Sequence, residues 1–237
     1  MRHLTVLCAL LGALSASAEW TYDSTAKTLS DGNWKFGVEI VARGTQMNVK
    51  TFQQGSGDLD MSDLYGYDAS PTVPLKTFPA KFFMNKSDLG AVTFPDTVTV
   101  VPSSMFEGSS LVEFTGLSVK QVSGASFKSC KKLVKVTFGD DFSVIDGADS
   151  FSGCSALTTI VPHELKVTRC GNYCFSGTAS LTDCPNFTVL TNVPSYMFNA
   201  SAITDLRFPV ATNIVQQATN DVQQAGGEAP QATNDVQ

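Results

Sequence analysis

Large apolar residues recur along the middle of the chain at nearly constant intervals. A phenylalanine is followed five or six residues later by leucine or isoleucine, and this combination occurs six times. The intervals between successive phenylalanines are 23, 21, 24, 24 and 23 residues. The six phenylalanines are Phe83, Phe106, Phe127, Phe151, Phe175 and Phe198. A fixed period of this length indicates a protein built from stacked structural repeats.

The residues after each leucine or isoleucine alternate between apolar and polar. Leu133 is followed by Val136 and Phe138, and the copies after Leu157 and Leu181 follow the same pattern more loosely. This alternation predicts a short strand with one buried face. Another apolar residue precedes each phenylalanine by five or six positions, and several are followed by proline, which suits an extended segment or a turn.

One such unit cannot bury its phenylalanine and leucine alone, whereas stacked copies form a continuous core. We therefore expect a mainly β solenoid of about six repeats, in which short helical or 3-10 connections link the strands. A β-sandwich also contains short strands and turns, but it does not repeat a side-chain motif at a fixed period.

Residues 151–160, with the sequence FSGCSALTTI, resemble the BspA-type leucine-rich repeats of bacterial and protozoan surface proteins. The resemblance covers residues 78–209 and is closest over 127–160, while Cys184 and Pro185 depart from the strand pattern. It implies a right-handed leucine-rich-repeat solenoid that takes part in adhesion or partner binding at a cell surface. It carries over no catalytic residue.

The repeats are flanked by segments of different composition. Arg2 precedes an apolar run and small residues that end at Ala18, which is the pattern of a secretory signal peptide. The apolar run is too short to span a bilayer, and we expect no transmembrane segment in the mature chain. We predict a secreted or cell-surface protein with a signal peptide over 1–18, an N-terminal β-rich cap over 19–70, a leucine-rich-repeat solenoid over 71–214 and a low-complexity flexible tail over 215–237.

The segment before the repeats contains alternating β patterns around Trp20 and Trp34. A solenoid needs a terminal cap that covers its last apolar layer, and we assign that role to this segment. Degenerate repeats are expected to begin near Leu59 or Leu64. The alternative is a small carbohydrate-binding module that uses the two tryptophans, although tryptophan in such strands is usually part of a core.

Charge and reactive residues narrow the range of functions. The net charge of −6 argues against nucleic-acid binding. The only candidate metal ligands are His163, Cys170, Cys174 and Cys184, but their spacing matches no strong zinc motif. We expect the cysteines to be mainly buried thiols, with at most a pair or two oxidised. No motif supplies a nucleophile with an adjacent base, so we expect no enzyme activity, no cofactor and no metal.

Polar residues between the buried strand positions predict an exposed face. They lie two and four positions after each leucine or isoleucine, and Ala91, Thr93 and Pro185 fall in the same columns. The candidate partner-binding residues are Glu113, Thr115, Lys135, Thr137, Thr159, Val161, Asp183, Asp205 and Arg207. Their threonine-rich, mixed-charge character suits an extended contact with a protein or glycan at a cell surface or in the host matrix. The alternative is a passive structural component of the cell envelope without a specific ligand.

Overall fold

The structure is a computed structural model of the chain. It describes residues 20–44, 46–62, 64 and 74–214. The predicted signal peptide and the predicted tail lie outside these residues. No helix in the described part is long and apolar enough to cross a membrane.

The N-terminal part of the chain forms an antiparallel sheet. Its strands are β1 (Thr21–Asp23), β2 (Thr28–Ser30), β3 (Lys35–Val41) and β4 (Gln46–Gln54), and a 3-10 turn over Ala42–Gly44 joins the last two. Alternate residues of β3, Phe36 and Val38, point into the core and are buried. Trp34 is only 1% exposed and its Nε1 donates a hydrogen bond to the carbonyl oxygen of Asp58 at 2.7 Å. The ring of Trp34 is therefore part of the core, which contradicts its use as a ligand platform.

Short parallel strands follow this antiparallel sheet. In chain order they are β5 (Gly57–Asp60), β6 (Leu75–Thr77), β7 (Leu89–Thr93), β8 (Val100–Val101), β9 (Glu113–Gly116), β10 (Gln121–Val122), β11 (Lys135–Phe138), β12 (Val144–Ile145), β13 (Thr159–Val161), β14 (Glu164–Leu165), β15 (Arg169–Cys170), β16 (Asn186–Phe187), β17 (Asn192–Val193) and β18 (Asn213–Ile214). The first sheet has the order β5-β7-β9-β11-β13, and the second sheet has the order β8-β10-β12-β15. Two further parallel pairs, β14-β16 and β17-β18, lie nearer the C-terminus. The chain is thus a β solenoid, as its repeats predict.

The segment assigned to the cap and the segment assigned to the solenoid each contribute one strand to the other's sheet. β5 lies within the segment assigned to the cap, yet its buried Leu59 stands opposite Val92 of the first sheet. β6 lies within the segment assigned to the solenoid, yet it pairs with β4. The antiparallel sheet is therefore joined to the solenoid by backbone hydrogen bonds as well as by side-chain packing.

The third side of each coil, the turn side, is a ladder of turns. In every repeat, the residues two positions before and two positions after the repeat phenylalanine have φ between 53° and 73°. They are Lys81, Asn85, Ser104, Gly108, Ala125, Ser129, Asp149, Gly153, Tyr173, Gly177, Tyr196 and Ala200. An α-helix or 3-10 helix requires consecutive right-handed residues, and these left-handed residues interrupt them. The connections are for this reason turns and two-residue strands rather than the short helical segments expected from the sequence.

Backbone hydrogen bonds join the turn sides of neighbouring coils. The N–H groups of Ala125, Phe127 and Ser129 donate to carbonyl oxygens of the next coil, over distances of 2.7 to 2.9 Å. The same three bonds recur in the repeats of Phe83, Phe106 and Phe175. Coils are therefore hydrogen-bonded to one another on all three sides, which satisfies buried backbone groups that would otherwise be costly.

The repeat phenylalanines form a single column inside the solenoid. From Phe83 to Phe198, successive rings are stacked with centroid distances of 5.0 to 5.6 Å and interplanar angles of 15° or less. Each of the six rings is at most 1% exposed. The leucines and the isoleucine that follow them are also buried. The predicted phenylalanine column is confirmed.

Substitution of a phenylalanine within this column tests its energetic role. Phe151 stacks on Phe127 at 5.0 Å and on Phe175 at 5.2 Å, so Phe151→Ala removes contacts with two neighbouring coils. We expect it to lower the free energy of unfolding by about 3–5 kcal/mol. Thr159→Ala, on an exposed strand position, should change it by no more than about 0.5 kcal/mol. Denaturant melting of both variants measures the difference, and equal stability of Phe151→Ala and wild type would contradict the role of the column.

Candidate partner-binding face

The outward-facing residues of the first sheet form two rows that run across the coils. The strand register places Glu113, Lys135 and Thr159 in one row, and Asp60, Thr93, Thr115, Thr137 and Val161 in the other. The residues between the rows, such as Val136, are buried. Glu113, Thr159 and Val161 are exposed, whereas Thr115, Lys135 and Thr137 are half-buried.

The two rows do not continue as strands beyond β13. Pro185, which the repeat alignment placed in an exposed column, is buried. This prediction was wrong because proline lacks the backbone N–H that a parallel ladder needs, and the next strand begins only at Asn186. Asp183, Asp205 and Arg207 are exposed but lie outside the strands.

Four polar side chains, of which Asp183, Asp205 and Arg207 are charged, nevertheless extend the face past β13. His163 Nε2 lies 3.1 Å from Asp183 Oδ2, and Arg207 Nη2 lies 3.8 Å from the other carboxylate oxygen of Asp183. Arg207 Nε also approaches Asp205 Oδ2 at 3.3 Å. The four side chains are 43% to 74% exposed, so these contacts add little to stability and leave the charges accessible.

His163 is the one member of this group that the sequence analysis did not assign to the face. The outward positions follow Leu157 at intervals of two residues, with Thr159 and Val161 first, and His163 occupies the next one. Continuation of the alternation by one step is the signal that would have found it.

The buried cysteines follow the repeat as well. Cys130 and Cys154 each lie three positions after a repeat phenylalanine, and their Sγ atoms donate to the carbonyl oxygens of Phe106 and Phe127, both at 2.9 Å. Ser109 and Thr178 occupy the equivalent position in the adjacent repeats and are also buried. The column therefore consists of small polar side chains, of which Cys130, Cys154 and Thr178 donate to backbone carbonyl oxygens, whereas the Ser109 hydroxyl accepts from the Leu111 N–H at 3.4 Å.

The coils can now be compared with known proteins. The model of the family described as BspA type Leucine rich repeat region matches residues 114–222 in six copies. Residues 114–222 of this chain are BspA-type leucine-rich repeats. The resemblance deduced from FSGCSALTTI is thereby confirmed. No curated protein sequence matches the chain.

Several solved structures are similar to the BspA-type solenoid at low sequence identity. A leucine rich cell surface protein from Faecalibacterium prausnitzii A2-165 is 16% identical with a TM-score of 0.44, over 79% of this chain and 72% of that protein. A leucine-rich repeat protein from Bacteroides ovatus ATCC 8483 is 14% identical with a TM-score of 0.48, over 73% of this chain and 46% of that protein. The leucine-rich repeat protein of T. pallidum is 15% identical with a TM-score of 0.34, over 62% of this chain and 88% of that protein.

The candidate metal ligands of the BspA-type repeats lie in different environments. Cys170 and Cys174 form a disulfide within one coil, Cys184 is a buried free thiol, and His163 pairs with Asp183 at the surface. In the described part of the chain, no group of three or more histidine, cysteine, aspartate or glutamate side chains is placed to hold a metal ion.

Two of the free thiols, those of Cys154 and Cys184, are held in their protonated form by burial. Burial raises the pKa of the Cys154 thiol well above its usual value, and the neighbouring Cys130 thiol raises it further. Burial also raises the pKa of Cys184 to about 12, despite the opposing effect of Arg207. Because the thiolate is the nucleophilic form, these side chains are unreactive in the folded protein.

Alkylation of the native protein tests this conclusion. At pH 8, a raised pKa leaves Cys154 and Cys184 neutral, and burial withholds all three free cysteines from solvent. We expect iodoacetamide to modify none of the three in the native protein without reductant, and all three after unfolding in guanidinium chloride. Mass spectrometry of the digested protein assigns each adduct to its cysteine, so that Cys8, which lies outside the described residues, does not enter the comparison. Rapid modification of Cys184 in the native protein at pH 8 would show that its thiol is accessible and ionised.

Proposed function

We propose that this protein is a non-catalytic repeat protein, secreted or held at a cell surface, that binds a protein or glycan. The contact surface is the strand face, which we define as Glu113, Thr115, Lys135, Thr137, Thr159 and Val161 with the adjacent Asp183, Asp205 and Arg207. The observation that carries the proposal is the in-register alignment of polar side chains on a sheet whose other side is fully buried.

Such a face suits an extended partner for physical reasons. Parallel strands fix the separation between neighbouring side chains at about 4.8 Å, and the buried column behind them keeps the sheet rigid. A rigid surface loses little conformational entropy on binding, so more of the contact energy contributes to affinity. β-branched threonines add few rotamers to be restricted. Glu113 and Lys135 carry opposite charges, and so do Asp183, Asp205 and Arg207 beside them. These mixed charges favour a partner that offers both hydrogen-bond donors and acceptors.

The chemistry of the strand face supports binding rather than catalysis. His163 is the only histidine in the described residues, and its Nε2 faces the Asp183 carboxylate. No described serine, threonine or cysteine side chain is hydrogen-bonded to it. A nucleophile activated by an adjacent base, which most covalent hydrolases require, is therefore not supplied by the residues around this face.

The second candidate function is a passive structural component of the cell envelope. The strand face contains no aromatic residue, whereas the residues that dominate binding energy in interfaces are enriched in tryptophan, tyrosine and arginine. Arg207 is the only one of these types on the face. A solenoid that serves only as a spacer or coat would have a face of this polar kind.

Paired substitutions on the two sheets distinguish these functions. Lys135→Ala with Thr159→Ala alters one row of the strand face, and Gln121→Ala with Arg169→Ala alters the outward row of the second sheet, again removing one cation and one neutral polar group. Wild type is screened against immobilised host matrix proteins and a glycan array. For any ligand found, we expect the strand-face variant to bind at least about tenfold more weakly, a loss of about 1.4 kcal/mol, and the second-sheet variant to bind as wild type does.

Thermal melting of both variants controls for stability, since each variant replaces one exposed and one half-buried side chain. Equal losses of affinity in the two variants would remove the strand face as the binding surface. Failure of wild type to bind any protein or glycan in the screen would favour the passive structural function.

A further inference from the structure

The repeats differ in the length of one corner loop. The loop runs from the repeat phenylalanine on the turn side to the leucine at the start of the next strand of the first sheet or two residues before it. Phe83 and Leu89 are six positions apart, and so are Phe127 and Leu133, but Phe106 and Leu111 between them are only five apart. A short loop is therefore flanked on both sides by longer ones.

The short loop is the floor of an open pocket of about 470 Å³. The neighbouring longer loops form its walls, with Ser87 on one side and Lys131 and Lys132 on the other. The lining residues are Ser87, Gly108, Ser109, Ser110, Ser129, Lys131 and Lys132. A volume of this size falls within the range of small-ligand pockets.

The pocket is positively charged although the chain as a whole is acidic. No carboxylate lines it, and Lys131 and Lys132 are exposed and form no ion pair with a described residue. Two other lysines next to lining residues in the sequence do form ion pairs. Lys86 pairs with Asp88, and Lys128 pairs with Asp149. Glu107 follows Phe106 within the short loop, but it is half-buried and does not line the pocket.

The groups left to bind a ligand are side-chain hydroxyls, ammonium groups and the backbone N–H groups of Ser87 and Lys132, which donate to no described residue. The backbone N–H groups of Gly108, Ser109 and Ser110 already donate to carbonyl oxygens over 2.8 to 3.0 Å. The Ser110 hydroxyl is bonded to the backbone of Leu89. By contrast, the hydroxyls of Ser87 and Ser129 make no hydrogen bond to a described residue.

We propose that this pocket binds an acidic glycan. A sulfate or carboxylate of the glycan accepts charge-assisted hydrogen bonds from Lys131 and Lys132, and the free hydroxyls of Ser87 and Ser129 bind sugar hydroxyls. An extended acidic peptide fits less well, because none of the lining residues belongs to a strand with which a peptide main chain could pair. The pocket lies at the corner between the turn side and the first sheet, and it is independent of the strand face.

Variants of charge and of shape test the proposal separately. Lys131→Ala with Lys132→Ala removes the cations, and Lys120→Ala with Lys166→Ala is the control that removes two exposed lysines elsewhere. Ser87→Gln partly fills the pocket without a change of charge. Insertion of one serine between Ser109 and Ser110 restores the six-residue spacing and removes the floor, and thermal melting establishes whether this variant folds.

The probes are a heparin-derived hexasaccharide, a hyaluronan hexasaccharide that carries carboxylates without sulfates, a neutral dextran oligosaccharide and a poly-glutamate peptide. We expect wild type to bind one or both acidic hexasaccharides and not dextran. The pocket lysine variant, Ser87→Gln and the folded insertion variant should each bind at least about tenfold more weakly, and the control should equal wild type. Which hexasaccharide binds more tightly identifies sulfate or carboxylate as the recognised group. Affinity should also fall between about 0.1 M and 1 M salt, because the screening length shortens from about 10 Å to 3 Å.

Several outcomes would overturn the proposal. One such outcome is that wild type binds neither acidic hexasaccharide. Another is that the pocket lysine variant and the Lys120 and Lys166 control lose affinity equally, which would indicate nonspecific electrostatic attraction. Retained binding by both Ser87→Gln and the folded insertion variant would show that the lysines act without the pocket. Tighter binding of poly-glutamate than of the hexasaccharides would assign the site to acidic peptides. None of these results bears on the strand face, whose test uses Lys135 and Thr159.

Discussion

The stacking of one repeat phenylalanine on the next is the interaction on which the rest of the structure depends. A single coil has no interior, so each ring depends on neighbouring coils for its burial, both through the column and through strand residues such as Phe114, which packs on Phe106 and Phe127. The column needs a cover at its end, and Trp34 supplies one by packing edge to face on Phe83 at 5.9 Å. Because a Cβ at Gly55, whose φ is 134°, would overlap the Trp34 ring, the packing of Trp34 also requires a glycine outside the repeats. In such an arrangement each coil is stabilised by its contacts with the neighbouring coils rather than by one central core.

The turn side explains how the coils stay close enough for this stacking. Along this side, left-handed residues lie two positions before and two positions after each repeat phenylalanine. From the repeat of Phe83 to that of Phe175, the N–H groups of these residues and of the phenylalanine donate to the next coil. Most of these positions are occupied by residues other than glycine, although left-handed backbone costs such residues roughly 1–2 kcal/mol each. Hydrogen bonds between coils and burial of the intervening phenylalanine offset that cost. The corner loops lie outside the three ladders, so a loop such as Phe106 to Leu111 can lose a residue without breaking them.

Binding capacity in this protein therefore belongs to positions that the stack leaves free. The strand face uses the outward residues of the first sheet, and the pocket uses a difference in corner-loop length. Both present side chains from three or more coils on a scaffold whose buried positions are nearly identical from repeat to repeat. This separation lets surface residues differ between coils at little cost in stability, and functional residues commonly lie on loops and faces held by a rigid framework.

The sequence by itself determined the parts of the structure that rest on periodic burial. The phenylalanine interval located the column, the alternation after Leu133 located the strands, and the shared position of Cys130 and Cys154 located a buried thiol column, because each depends only on spacing along the chain. Only the tertiary structure decided the turns in place of helical connections, the burial of Pro185, the Cys170–Cys174 disulfide, the contacts of His163 and Arg207 with Asp183, and the pocket. These features depend on backbone conformation at single residues and on distances between coils more than twenty residues apart, which a pattern of hydrophobic and polar positions does not encode.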